Sequence, residues 1–338
     1  PFPARVVLPL SQHAGKPARC LVKAGDRVER GDKLAEADGY VSVPIHASAG
    51  GTVTEVGLWP HPNGGYQDAI QIDVDAYSAQ AIRKRVLPEW ETLDKDALVK
   101  AVQQAGVVGL GGAAFPTHVK LVPPEGRTIG TLLVNGCECE PYLTTDHRTM
   151  VDYPERVHLG IRIMLKCLGV TRALVGIEEN KPDALERMRA TAPKDLDVEI
   201  VGLRVRYPQG AEKMLIQSLL DREVPSGGLP ADVGVLVQNV ASVATIAEAF
   251  ETGLPLIERI VTVTGNGVRK PANLIVPVGT LLEDLIEACG GLTDDAAEVV
   301  LGGPMMGTAV SNLKAPVMKG TTGVVVLTKS EVRPRDSL

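Results

Sequence analysis

The sequence predicts a multidomain α/β protein: a small all-β module, a central α/β domain built on a largely parallel sheet, and a small β-grasp module at the C-terminal end. Three patterns carry that prediction. Up to about Ile72, strand-length segments are separated by Gly-Asp and Asp-Gly turns every six to eight residues, the spacing of a compact all-β unit. Between about Glu91 and Glu251, helical and strand periodicities alternate, which requires strands laid side by side with helices packed on them. From about Ile257, a strand, a Gly265-Asn266-Gly267 turn, a second strand and a helix follow one another, as in a β-grasp module. The expected domain boundaries are 1–75, 91–251 and 257–328.

Each element follows from a local signal. In the first module the phrase Val22-x-x-Gly25-Asp26-x-Val28-x-x-Gly31-Asp32-x-Leu34 resembles the biotinyl/lipoyl barrel-sandwich family. Carrier domains of that family present a modifiable Lys at a hairpin tip. The corresponding hairpin here, 37–46, contains no Lys, so the resemblance implies the fold without the carrier arm, retained for docking. In the central block Leu98, Val99 and Val102 lie at helical spacing within 97–105, and 131–134 is a short buried-strand run. Pro154 suits the first position of a helix and Gly169 its end. Between them Val157, Ile161, Met164, Leu165 and Leu168 form one apolar stripe. Residues 173–177 read as a strand, Pro182 opens a polar-faced helix, 198–205 alternates as a strand, and 212–220 and 242–250 are helical. In the last block a helix over 281–289 ends at Gly290, and 299–303 and 323–327 add strands before a polar tail.

Composition narrows the function classes. With 44% hydrophobic and 22% charged residues the chain has too much apolar content for disorder. A formal net charge of −6 gives no electrostatic footprint for nucleic acid. No segment approaches the roughly 18 continuous apolar residues of a membrane span, and the first residues lack the order of a signal peptide. Five scattered cysteines imply a reducing compartment rather than a disulfide framework.

Four constellations can carry chemistry. In 106–120, Gly109, Gly111 and Ala114 match G-x-G-x-x-G/A, but the preceding residues are helical, whereas a Rossmann loop follows a strand; the ordinary Rossmann reading is therefore rejected. Four glycines in seven residues still let backbone approach a flat or anionic ligand. Successive N–H groups there can cradle oxyanions, with Lys120 adding a cation; the alternative is an inter-domain loop. In 131–148, Asn135 ends a strand, Glu138 and Glu140 share one side of an extended chain, and Cys137 and Cys139 share the other. The two carboxylates suit ribose hydroxyls or a carboxamide, or form a solvated acidic loop. No second Cys or His pair lies at ligand spacing, so no metal is expected. Gln209-Gly210 opens a helix whose free N–H groups suit an anion or carbonyl, followed by Glu212 and Lys213. Gln238-Asn239, with Ser242, stands between a strand and a helix and suits phosphate recognition or a simple cap. Four polar corners on one α/β domain are the arrangement of a cofactor site.

Taken in order, the segments 109–120, 135–141, 210–213 and 238–239 resemble the flavin- and NADH-binding subunit of respiratory complex I. With the N-terminal module added, VGLGGAAFPTHVKL, NGCECEPYLTTDHR, IEENKPDAL and YPQGAEKMLI resemble RnfC (RsxC), the electron-input subunit family of the Rnf complexes, over essentially the whole chain. The resemblance implies an SLBB-like identity for the β-grasp module and a non-covalent FMN against the glycine loop, with NAD(H) stacked on its exposed ring. By position, Gly109, Gly111, Gly112 and Lys120 would hold the flavin, and Asn135, Gln238 and Asn239 its polar and phosphate parts. Phe115, Glu138 and Glu140 would lie near the nicotinamide nucleotide, and Gly210 and Glu212 match the third segment. Hydride would pass between nicotinamide C4 and flavin N5, so no side chain is assigned a catalytic proton. The implied partners are the other components of the Rnf membrane complex and, indirectly, ferredoxin, with the chain peripheral on the cytoplasmic side of the bacterial inner membrane. Family members carry two cysteine runs for [4Fe–4S] clusters, expected after position 338. Cys137, Ala211 and Gln238 depart from the complex I motifs, so its contacts do not transfer literally. The alternative is a cofactor-free scaffold resembling the A component of the sodium-pumping NADH:quinone reductase, in which the glycine-rich and acidic motifs would be decayed.

Overall fold

The computed structural model describes residues 2–81 and 89–332; the end of the polar tail, 333–338, lies outside the described residues. The N-terminal module contains β1 (Arg5–Pro9), β2 (Arg19–Cys20), β3 (Arg27–Val28), β4 (Lys33–Glu36), β5 (Ile45–His46), β6 (Gly51–Pro60) and β7 (Tyr66–Val74). They form two antiparallel sheets, ordered β1-β7-β6-β3 and β2-β4-β5, around Val6, Leu8, Leu34, Ile45, Ile70 and Ile72. The Gly-Asp turns work as the sequence suggested. Gly25 and Gly31 adopt φ of +93° and +94°, and the following carboxylates accept the N–H groups of Lys23 and Glu29. The 37–46 hairpin docks on the central domain. The ring of Tyr40 meets that of His118 edge-on at 5.9 Å, and Tyr40 O lies 2.8 Å from His118 Nε2.

The central domain comprises α1 (Lys95–Gln104), α2 (Thr117–Lys120), β8 (Thr131–Gly136), α3 (Thr145–Asp152), α4 (Pro154–Leu168), β9 (Arg172–Glu178), α5 (Pro182–Ala190), β10 (Asp197–Leu203), α6 (Glu212–Leu220), β11 (Val235–Asn239) and α7 (Val240–Thr252). Its four strands are parallel, in the order β10-β9-β8-β11. The near-continuous apolar runs of β8, β9 and β11 are those of strands covered on both faces, whereas the edge strand β10 alternates. Of the stripe read on α4, Val157, Ile161, Met164 and Leu165 are buried and Leu168 is partly buried, and α4 packs against α7 at close range: a Cβ on Gly160 would lie 2.0 Å from Val243 O.

The C-terminal module comprises β12 (Glu258–Thr264), β13 (Ala272–Pro277), α8 (Leu282–Ala288), β14 (Ala296–Leu301), β15 (Thr308–Val310) and β16 (Gly323–Thr328), with sheet order β13-β12-β16-β14-β15. The strand expected over 299–303 stops at Leu301, because Gly302 at φ +88° turns the chain out of the sheet. Among the described residues no helix is long and apolar enough to cross a membrane.

Candidate functional site

The sheet order creates the site. β9 and β10 lie on one side of β8 and β11 on the other, so the carboxyl ends of β8 and β11 form the crevice where open parallel sheets bind ligands. Asn135 and Asn239 are register partners at that position. Asn239 Oδ1 caps α7, accepting N–H groups from Ala241 (3.0 Å) and Ser242 (3.2 Å), and its Nδ2 donates to Asp146 Oδ2 (2.7 Å). Asn135 accepts from Cys137 N (3.0 Å) and donates to Gly210 O (2.7 Å).

The glycine loop reaches this crevice from α1 and leaves into α2, so it is indeed preceded by a helix and not by a strand. Its base is closed by Gly109 N–H donating to Phe115 O (2.8 Å). It is fastened from behind where Leu110 N–H donates to Ser242 Oγ (2.7 Å). The tip is bare. Gly112 sits at φ +108°, and a Cβ on Gly111 would come within 3.4 Å of the Asn239 amide. Among the described residues no protein acceptor takes the N–H groups of exposed Gly111, Gly112 and Ala113. They form a ready cradle for an anionic or carbonyl group.

Loop and crevice open into a cavity of about 750 Å³ walled by all three modules: Gln12 and His13 from the first, the glycine loop and β8–α3 loop from the second, and Met306 and Thr321 from the third. Of the residues singled out by sequence, Gly111, Gly112, Asn135, Glu138, Glu140, Gly210 and Asn239 line it. Gly109 and Phe115 form the base of the loop. Lys120 is paired with Glu212 and donates to Val237 O (3.1 Å), and Gln238 is buried with its amide on Thr117 Oγ1 (3.2 Å). These five are not among the residues that line the cavity. Gly210 precedes α6 rather than opening it; Ala211 is the residue before the first helical turn.

The two acids of the β8–α3 loop engage different partners. Glu138 caps α3, accepting from Thr145 Oγ1 (3.0 Å), Asp146 N (2.9 Å) and His147 N (3.1 Å), where the helix dipole favours its charge. Glu140 instead reaches the C-terminal module, accepting from Met305 N and Met306 N. Asp146 was not legible as a site residue, because α3 has no apolar stripe and its cap comes from Glu138 outside the helix. Burial, and next the neighbouring Glu138, push its carboxyl up to about 8. Burial and nearby Glu178 likewise push the Cys137 thiol up to about 12. Arg259, buried on β12, donates to Lys319 O and, at 3.4 Å, to Leu110 O of the glycine loop. Among the described residues no three His, Cys, Asp or Glu side chains converge as metal ligands would.

Comparison with known proteins agrees with this architecture. Residues 102–248 match the Nuo51 FMN-binding domain, 1–77 the RnfC barrel sandwich hybrid domain and 260–309 the SLBB domain. The chain is 45% identical over 332 residues to the C component of the proton-translocating ferredoxin:NAD(+) oxidoreductase complex of Clostridium ljungdahlii, covering 98% of this chain and 72% of that protein. It is 42% identical over 331 residues to the C component of the Na(+)-translocating complex of Acetobacterium woodii, covering 98% and 75%. The C component of the ion-translocating oxidoreductase complex of Rhodobacter capsulatus is 41% identical over 335 residues, covering 98% and 64%. Among solved structures, the NAD+-reducing [NiFe]-hydrogenase in the air-oxidized state shares the fold, with TM-score 0.60 at 22% identity over 75% of this chain and 54% of that one.

Proposed function

The chain belongs to the RnfC family, the C components of ion-translocating ferredoxin:NAD(+) oxidoreductase complexes, and from that premise we propose that it exchanges hydride between NAD(H) and a bound FMN and passes the electrons on. One observation carries the reading. At the switch point of the parallel sheet, Asn135 and Asn239 stand in register beneath a bare glycine loop whose tip N–H groups have no protein acceptor among the described residues. The residues present suit FMN. The N–H cradle and the two amides offer donors to phosphate and carbonyl oxygens, and the cavity is within the roughly 300–1,000 Å³ of ordinary cofactor clefts.

FMN, when bound, supplies the two-electron to one-electron conversion; the protein positions it and tunes its surroundings. Gly111 and Gly112 let backbone approach a ring without a Cβ intervening. Asn239 is held by its own helix cap and by Asp146, so its amide orientation is fixed before any ligand arrives. Asp146 keeps its proton at neutral pH, with Oδ2 accepting from Asn239, so it places no full negative charge beside a phosphate-bearing cofactor. Glu138, Glu140 and the third module close the opposite side, where NAD(H) would enter. Lys120 and Gln238 steady α2 against β11. Electrons would leave toward iron–sulfur carriers, with other Rnf components and ferredoxin as partners on the cytoplasmic face of the membrane. For this purpose the chain divides at 1–75, 91–251 and 257–328.

The test is direct. Purified chain should take up FMN, with quenching of flavin fluorescence and a visible absorbance band. Gly112→Val, which puts a β-branched side chain into open space and strains the loop tip at φ +108°, should abolish uptake while the far-UV circular dichroism is retained. A wild-type chain that stays colourless under saturating FMN overturns the reading and favours a cofactor-free scaffold.

A further inference from the structure

The third module lines the cavity with residues of two segments, 301–308 and 318–322, and the first of them contains a loop, 302–307, with sequence Gly-Gly-Pro-Met-Met-Gly. The loop is tightly built. Gly302 N–H donates to Gly323 O, and Gly307 N–H to Gly303 O, each at 2.8 Å. A Cβ on Gly307 would lie 2.4 Å from Gly303 O, and one on Gly303 would lie 2.3 Å from Glu140 Oε2. Backbone atoms leave no room for a side chain at Gly307, whereas at Gly303 the space is that of the Glu140 carboxylate from another domain, which a side chain there would displace. Glu140 crosses the gap and accepts both Met305 N (3.2 Å) and Met306 N (2.6 Å). A carboxylate offers about four acceptor positions, so this anchoring leaves capacity for a ligand.

The result is an unusual placement of one apolar side chain. Met306 lines the cavity yet is 79% exposed, and it belongs to none of the hydrophobic clusters. Single exposed apolar residues are ordinary. This one is held in the cavity wall by two pinned N–H groups and three glycines. Resting on the FMN/NAD(H) reading above, we propose that the 302–307 loop is the third wall of the dinucleotide site, with the Met306 thioether packed against a planar ring of bound NAD(H) and Glu140 setting the loop's distance from the glycine loop. An unbranched thioether adapts to a flat ring and gains favourable sulfur–aromatic contacts.

The experiment uses the FMN-loaded chain, titrated calorimetrically with NAD+ and, anaerobically, with NADH. Met306→Ala should weaken nucleotide binding about tenfold, the equivalent of about 1.4 kcal/mol. Met306→Leu should stay within about twofold of wild type, and both variants should keep FMN uptake and Tm. Gly303→Ala, which displaces the Glu140 carboxylate, should weaken the nucleotide at least as much as Met306→Ala, and adding Met306→Ala to it should have little further effect. Unchanged nucleotide affinity in Met306→Ala overturns the proposal and leaves the flavin reading standing. So does a loss that falls on FMN uptake or Tm instead of on the nucleotide. A wild-type chain that takes up no FMN overturns the flavin reading and this inference with it.

Discussion

Lys319 joins the three modules that wall the cavity, and its charge can be tested. The residue is 1% exposed, and its Nζ donates to Pro44 O of the first module (2.9 Å) and Gly106 O of the second (2.8 Å). No carboxylate pairs with it among the described residues. Burial pushes its ammonium from the ordinary 10.5 down to about 7. At about 1.36 kcal/mol per unit, the folded state carries a penalty of about 4 kcal/mol at pH 7 and about 2 kcal/mol at pH 9. Because the pKa is lowered on folding, the unfolded chain binds the extra proton between about 7 and 10.5. Stability from this group is therefore full above that window and lost as pH falls through it. His13, which feels the Lys319 charge, has its pKa lowered below 6.5, chiefly by burial, and changes charge beneath the window. Lys319→Met removes the titration and strands two carbonyls, at about 1–3 kcal/mol each regardless of pH. Wild type should therefore gain about 2 kcal/mol between pH 7 and pH 9 that the variant does not. Urea titrations at both pH values measure this, read by Trp59, whose indole N–H donates to Lys314 O across the junction of the first and third modules (2.8 Å). The same wild-type-to-variant difference at both pH values would refute the reasoning, since the ammonium would then remain charged throughout.

Two further substitutions separate site from scaffold. Asn239→Ala removes the α7 cap and the bond to Asp146; it should cost about 1 kcal/mol of stability and abolish FMN uptake, checked by Tm together with flavin titration, and a variant that binds FMN normally would remove Asn239 from the site. Gly160→Ala places a methyl group against Val243 O and should destabilise the chain by about 1–3 kcal/mol in urea without altering FMN stoichiometry; a larger effect on FMN than on stability would show that the α4–α7 crossing sets the crevice.

The legible parts of this fold are those written in local periodicity. The α4 stripe ends at Gly169, in the left-handed conformation that glycine suits, and the strand runs of β8, β9 and β11 lie close to where their apolar residues predict. The glycine loop, the Asn at the end of β8 and the amide pair at the end of β11 could also be found, because each sits at a corner between elements. What the sequence does not show is which side chains turn toward one another. Nothing in the spacing of Glu138 and Glu140 says that one caps α3 and the other grips a loop more than 160 positions later. Lys120 and Glu212 look like ligand-binding charges but neutralise each other. Positions 302–303, where the loop begins, read as the end of a strand until the left-handed Gly302 is seen.

The sign of the potential at the glycine loop does not follow from the net charge. A chain of net charge −6 has no global attraction for a phosphate-bearing cofactor, so the favourable field must be local. Arg259 supplies it: the guanidinium is buried behind Leu110, and although burial lowers its pKa to about 10 it stays charged at neutral pH. Asp146 is the group that could cancel it. With its carboxyl raised to about 8, Asp146 is neutral at pH 7 and ionises only as pH rises through 8. The new charge would stand against Asn239 and the cradle. FMN affinity should therefore fall between pH 7 and pH 9, by roughly fivefold for an interaction of about 1 kcal/mol. Asp146→Asn keeps an oxygen to accept from Asn239 but cannot ionise, so its FMN affinity should be flat over the same range. Fluorescence titrations of both proteins at the two pH values decide the matter, and equal slopes for wild type and Asp146→Asn would assign the pH dependence to some other group.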